Sequence, residues 1–93
     1  MGFRDPRLAV DASGRALIVW EDATAVRRRV LMRETTASGL SPVRVLSQAI
    51  KAYAPDMTVG ASGDAFVAWH EEQFPRTKTI VMRVTGRAPE SKR

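Results

Sequence analysis

Short apolar runs alternate with polar turns along the chain, and the alternation occurs twice. Ala16 to Trp20 is apolar at every position; the turn Ala12-Ser13-Gly14 precedes it and the polar pair Glu21-Asp22 follows it. Ala61-Ser62-Gly63 and the run Ala65 to Trp69 repeat the arrangement 49 residues on. An apolar run of this length, bounded by turn residues and containing Ile, Val and Trp, predicts a strand buried on both faces. Gly14 and Gly63 suit turns that need positive φ.

The flanking segments show the two-residue period of half-buried strands. Leu8 and Val10 alternate in Arg7–Asp11, which predicts a first strand forming a hairpin with the next. Val26–Glu34 predicts a third, with Val30 and Met32 on one face and Arg29, Leu31 and Arg33 on the other. After the turn at Thr35–Gly39, Val43 and Val45 mark a fourth. Pro42 near its start suits an edge, because proline cannot donate to a neighbouring ladder.

Pro55-Asp56-Met57-Thr58-Val59 then matches Pro6 to Val10, and Thr79–Arg83 matches Arg29–Arg33 at an offset of 50. The second loop is therefore expected to carry one extra residue. Gln48–Ala54 reads as a linker, since Pro55 disfavours helix at Ala54. The expected organisation is a first unit over about 5–47, a linker at 48–54, a second unit over about 55–85 that lacks its outer strand, and a polar tail at 86–93.

A repeat near 50 residues, built of about four short strands, is the signature of a β-propeller blade. A seven-stranded β-sandwich explains the strand count but does not call for duplication in this register. The expected fold is all-β, with two four-stranded antiparallel blades, the second without its outer strand. Two blades cannot close a ring, so their flanks and the unpaired edge predict self-association. Three chains would close a six-bladed ring, within the ~4–8 blades typical of the fold. A fragment of a longer propeller would expose the same surfaces.

The pattern Pro-x-(Leu/Met)-x-Val-x-Ala-Ser-Gly-x-Ala-(Leu/Phe)-(Ile/Val)-x-Trp resembles the degenerate blade repeats of bacterial sialidase-like β-propellers. The third strand ending in Met-Arg is similar to them too, as is Gly39-Leu40-Ser41-Pro42 running to Leu46-Ser47. The resemblance spans roughly residues 5–85. It implies a propeller and, by analogy with two-blade lectins, a carbohydrate as candidate ligand. It does not extend to catalysis. Sialidases carry turns of the form Ser-x-Asp-x-Gly-x-Thr-Trp, whereas Gly14 and Trp20, like Gly63 and Trp69, lie six apart. They also need an arginine triad, a tyrosine–glutamate pair and an aspartate from several blades, and this chain has one tyrosine, Tyr53. The resemblance thus implies no catalytic residue here, and no enzyme is expected.

Composition narrows the chemistry further. Fifteen Lys and Arg stand against ten Asp and Glu among 93 residues, a net charge of +5. That balance allows a polyanion-binding surface, but only Arg27-Arg28-Arg29 is a cluster. Without interleaved aromatics, nucleic acid is not the expected partner. With no cysteine and a single histidine, thiolate and multi-histidine metal sites are excluded, and no cofactor or metal is expected. Ala12-Ser13-Gly14 reads as a hairpin turn rather than a phosphate-cradling loop. No apolar run follows a basic start, and no stretch reaches membrane-span length, so the default expectation is a cytoplasmic chain with no membrane partner.

The expected ligand surface is the rim after the second strand of each unit, read as loops holding Glu21, Asp22, His70 and Glu71. Arg33 and Arg83, each after Met in equivalent strands, are added to it. His70-Glu71 could work as general acid and base or simply be solvated. Trp20 and Trp69 could stack on a sugar or pack between blades. The leading function is a non-catalytic binding or scaffold module of propeller type, with a glycan as candidate ligand. The alternatives are a piece of a sialidase-like hydrolase whose site formed from other blades, and polyanion binding through the basic surface.

Overall fold

The computed structural model describes residues 2–73 and 75–84. The polar tail expected at 86–93 and the outer strand expected to be lacking after Val84 lie outside them. Among the described residues there is no helix. The strands are β1 (Gly2–Val10), β2 (Ala16–Ala23), β3 (Arg28–Thr36), β4 (Gly39–Leu40), β5 (Arg44–Val45), β6 (Lys51–Val59), β7 (Ala65–Gln73) and β8 (Arg76–Val84).

They form one open mixed sheet in the order β1-β2-β3-β6-β7-β8, with β4 and β5 paired to β3. β1-β2-β3 and β6-β7-β8 are antiparallel meanders. A single parallel bridge, Arg28 to Lys51, joins them, and the Arg28 N–H donates to the Ile50 carbonyl at 2.9 Å. The sheet folds over at this bridge, so that β6 lies beside β1 and against β2. The core fills the space between the two meanders: Leu17, Val19, Val30 and Met32 from the first, and Ala52, Ala65, Val67, Trp69 and Val84 from the second, closed by Leu46. Burying each large side chain contributes about 1.5–3 kcal/mol.

Each proline that marks the start of a unit sits inside a strand. Asp5-Pro6 and Ala54-Pro55 interrupt the β1–β2 and β6–β7 ladders at equivalent places, with Asp5 at φ 52° and Ala54 at φ 57°. A bulge needs no ladder donor at the proline, so the strand resumes beyond it. The linker expected at 48–54 is corrected accordingly. Lys51, Ala52 and Tyr53 already pair with Glu72, Glu71 and His70, leaving Leu46–Ile50 to join the units.

Register corrects the third-strand alignment as well. Trp20 faces Leu31 and Trp69 faces Ile80, so the structural offset is 49 throughout. The second loop carries no extra residue. Met32 corresponds to Val81, and Arg33 to Met82 rather than Arg83.

Burial of the apolar strands on both faces is corrected too. In β2, Leu17, Val19 and Glu21 are buried while Ile18 and Trp20 are half-buried; in β7, Ala65, Val67, Trp69 and Glu71 are buried while Phe66, Ala68 and His70 are half-buried. At an offset of 49 these are opposite faces of the repeated unit. The first unit packs one side of the repeat inward and the second packs the other, which stacks the units face to back.

The hairpin turns follow the same order. Gly63, at φ 91°, lies where a Cβ would come within 2.7 Å of the Ala12 Cβ, so the second turn rests on the first. Gly14, at φ 87°, has open space there. The first turn is held by Asp11, whose Oδ1 accepts from Ser13 N at 2.9 Å, Ser13 Oγ at 2.6 Å and Arg15 N at 3.0 Å. The Ser13 hydroxyl bond does most to hold the Asp11 carboxyl below the usual carboxylate range, against the opposing effect of burial.

Candidate functional site

Glu21, Asp22, His70 and Glu71 lie in β2 and β7, not in loops, because the strands continue past their apolar runs. Glu21 is fully buried. It sits opposite Val30, which places it diagonally across from Arg28. Its Oε2 accepts from Arg28 Nε at 2.8 Å and also from Nη2; its Oε1 accepts the Ala54 N–H at 3.2 Å. One carboxylate thus ties β2 to β3 and the first unit to the second.

From Glu21 a polar chain crosses the seam. The Arg28 guanidinium lies 4.8 Å from the centre of the Tyr53 ring, a contact worth ~0.5–1 kcal/mol in a partly exposed place. The Tyr53 and His70 rings are 5.7 Å apart and tilted by 51°. His70 Nδ1 is 3.2 Å from Thr79 Oγ1.

Asp22 and Glu71 are buried and occupy equivalent positions. Asp22 Oδ2 accepts from Arg29 Nη2 at 3.0 Å, while its Oδ1 is buried without a hydrogen bond. Glu71 Oε2 accepts the Trp69 indole N–H at 2.8 Å and the Gln48 N–H at 3.3 Å. Glu71 follows His70 in a strand, so the two side chains leave on opposite faces. The acid–base pairing considered for His70-Glu71 therefore does not form.

The arginines lie elsewhere. Arg33 Nε donates to the Ser41 carbonyl at 2.8 Å and pins the segment carrying β4 and β5. Arg83 is exposed, 3.7 Å from Asp64. It pairs with Phe66, four residues along β7 from His70, or roughly 13 Å at strand rise. The structure brings Glu21 and His70 to one seam through Arg28 and Tyr53, keeps Asp22 and Glu71 in buried bonds, and leaves Arg33 and Arg83 apart. Arg28 read in sequence only as part of a basic cluster. Its place beside Glu21 follows once the β2–β3 register is known.

The two tryptophans, equivalent in sequence, differ in setting. Trp69 is 2% exposed between the units, whereas Trp20 is half-buried on the outer face of the first. On the outer face of the second unit lies a shallow groove of about 190 Å³, lined by Asp56, Thr58, Phe66, Ala68 and Val81 among others. Among the described residues, no group of three His, Asp or Glu side chains could hold a metal ion, and no helix is long and apolar enough to cross a membrane. No family model, no curated protein and no solved structure matches the chain.

Proposed function

We propose that the chain is a non-catalytic binding or scaffold module of β-propeller type, each meander being a blade and copies of the chain completing the ring. The reversal of buried faces between the units supports this reading. A symmetric sandwich would bury the same side of both repeats, whereas face-to-back stacking is how blades follow one another around an axis. β5 then serves as the outer strand of the first blade.

The ligand surface in this reading is the ring pair of Tyr53 and His70, with the Arg28 guanidinium held against Tyr53 by Glu21. Flat rings flanked by polar donors suit a carbohydrate. Polyanion binding is less well supported, because Arg28 and Arg29 of the basic cluster are engaged by Glu21 and Asp22. A glycan array on the purified chain tests the assignment. A bound glycan lost in Tyr53→Ala, with the circular dichroism of the parent kept, would support it. No glycan signal, together with heparin retention that falls steeply with salt and with Arg27→Ala, would overturn it in favour of the polyanion.

A further inference from the structure

On the strength of that blade reading, we infer that the outer face of the first unit is a docking surface for a second copy of this chain, which seats the outer face of its own second unit there, head to tail. The internal junction shows how such faces fit. The second unit packs inward with Met57, Val59, Ala65, Val67, Trp69 and Ile80. Their counterparts 49 residues earlier are Leu8, Val10, Ala16, Ile18, Trp20 and Leu31, all apolar, while those of Met82 and Val84, which pack inward beside them, are Arg33 and Thr35 at the β3 side of the face. Cross-strand pairing puts those six on one face of the first unit, Leu8 opposite Ile18, Val10 opposite Ala16 and Leu31 opposite Trp20. Leu8 is 66% exposed and Val10 57% exposed, whereas Ala16, Ile18 and Trp20 are half-buried and Leu31 is buried. The β1 end of that face is apolar and, in the single chain, uncovered.

The other half of the junction is also present. The first unit packs inward with Leu17, Val19, Val30 and Met32; the counterparts are Phe66, Ala68, Thr79 and Val81, of which Phe66, Ala68 and Val81 line the groove of the second unit. Val81 is 66% exposed.

Two local features fit the same docking. Arg7 and Asp56, themselves counterparts, form an ion pair across the internal junction at 3.5 Å. A head-to-tail neighbour would bring its Asp56 to Arg7, so opposite charges meet again. Gly14 has the open space that Ala12 fills beside Gly63, and the Ala61 of a neighbour would fill it. The two faces differ, so the contact is heterologous, and each added copy leaves one face open until a ring closes.

Light scattering on the full chain tests this with Leu8→Asp and Val81→Asp. Both residues are largely exposed, and circular dichroism should match the parent. Leu8→Gln and Val81→Gln serve as milder versions should either fail to fold. The parent should run at a multiple of the 10.3 kDa chain mass. Each variant should run as a monomer, because one charged face stops propagation. Mixed one to one, they should give a dimer and nothing larger, since only the Val81 face of the Leu8→Asp chain and the Leu8 face of the Val81→Asp chain remain intact and the two altered faces repel. A monomeric parent overturns the docking and the ring together. Association unchanged in both variants overturns the assigned faces and leaves the ring standing. Loss in Leu8→Asp alone indicates like-face pairing and overturns the head-to-tail order.

Discussion

Removing Glu21 should cost more than its single-residue size implies, and replacing its partner should cost at least as much. Glu21 is fully buried and accepts three N–H bonds, two from Arg28 and one from the Ala54 backbone in the other unit. Truncating one partner of a buried ion pair costs about 3–5 kcal/mol. The Arg28 side chain keeps 34% of its surface in water, so its charge is only partly stranded. That places Glu21→Ala near the lower bound, about 3 kcal/mol. Glu21→Gln keeps an acceptor for Ala54 and loses the charge assistance to Arg28, for about 1.5 kcal/mol. Arg28→Ala leaves the carboxylate buried with one backbone donor and should exceed Glu21→Ala. The double variant should cost less than the two together, because both act on one bond network. Urea unfolding reads all four. With m near 1–1.5 kcal/mol/M for a chain of this size, the Glu21→Ala midpoint should fall by about 2–3 M with m unchanged. A Glu21→Ala chain within about 0.5 kcal/mol of the parent, or additive losses in the double variant, would refute the seam as a coupled network.

Asp11 is held below its ordinary pKa in the fold, first by the Ser13 hydroxyl, so it stabilises the fold above about pH 4, and that contribution is lost as pH falls through its folded value. Asp11→Asn should therefore lower stability at neutral pH and flatten the acid limb of a stability–pH curve; an unchanged limb would count against the turn geometry. Gly63→Ala combines φ strain with a Cβ 2.7 Å from that of Ala12, whereas Gly14→Ala carries the strain alone. At dilutions where the chain is monomeric, melting curves should show Gly63→Ala as the worse by about 1–2 kcal/mol beyond a shared strain of similar size, and equal losses would remove the contact between the turns. Trp69→Ala should cost about 3–5 kcal/mol and Trp20→Ala well under half of that in the dilute chain, read from the same melts; equal costs would contradict the different burial of the two rings.

The all-β class and the repeat were legible in the sequence because alternation and turn residues act locally. Leu8 and Val10, or Ala65 to Trp69, announce strands whatever they pack against. Three features were not legible, since each depends on pairing across the chain. Pro6 and Pro55 look like strand starts until the ladder shows bulges around them. The Met-Arg match at an offset of 50 looks like an insertion until Trp20–Leu31 and Trp69–Ile80 fix the register. Glu21, Asp22 and Glu71 look like solvated loop charges, because a buried carboxylate and an exposed one have the same letter. Only the partners Arg28, Arg29 and the Trp69 indole separate them.

The direct measure of the stacking order is acrylamide quenching of the two tryptophans, each observed alone in Trp69→Phe and Trp20→Phe across a dilution series. At low concentration Trp69 should be shielded between the units and Trp20, half-buried, should quench more than Trp69. As concentration rises and a neighbour covers the outer face, Trp20 should become as shielded as Trp69. Quenching of Trp20 that does not change with concentration, or a Trp69 that quenches as readily as Trp20 in the dilute chain, would contradict the face-to-back account.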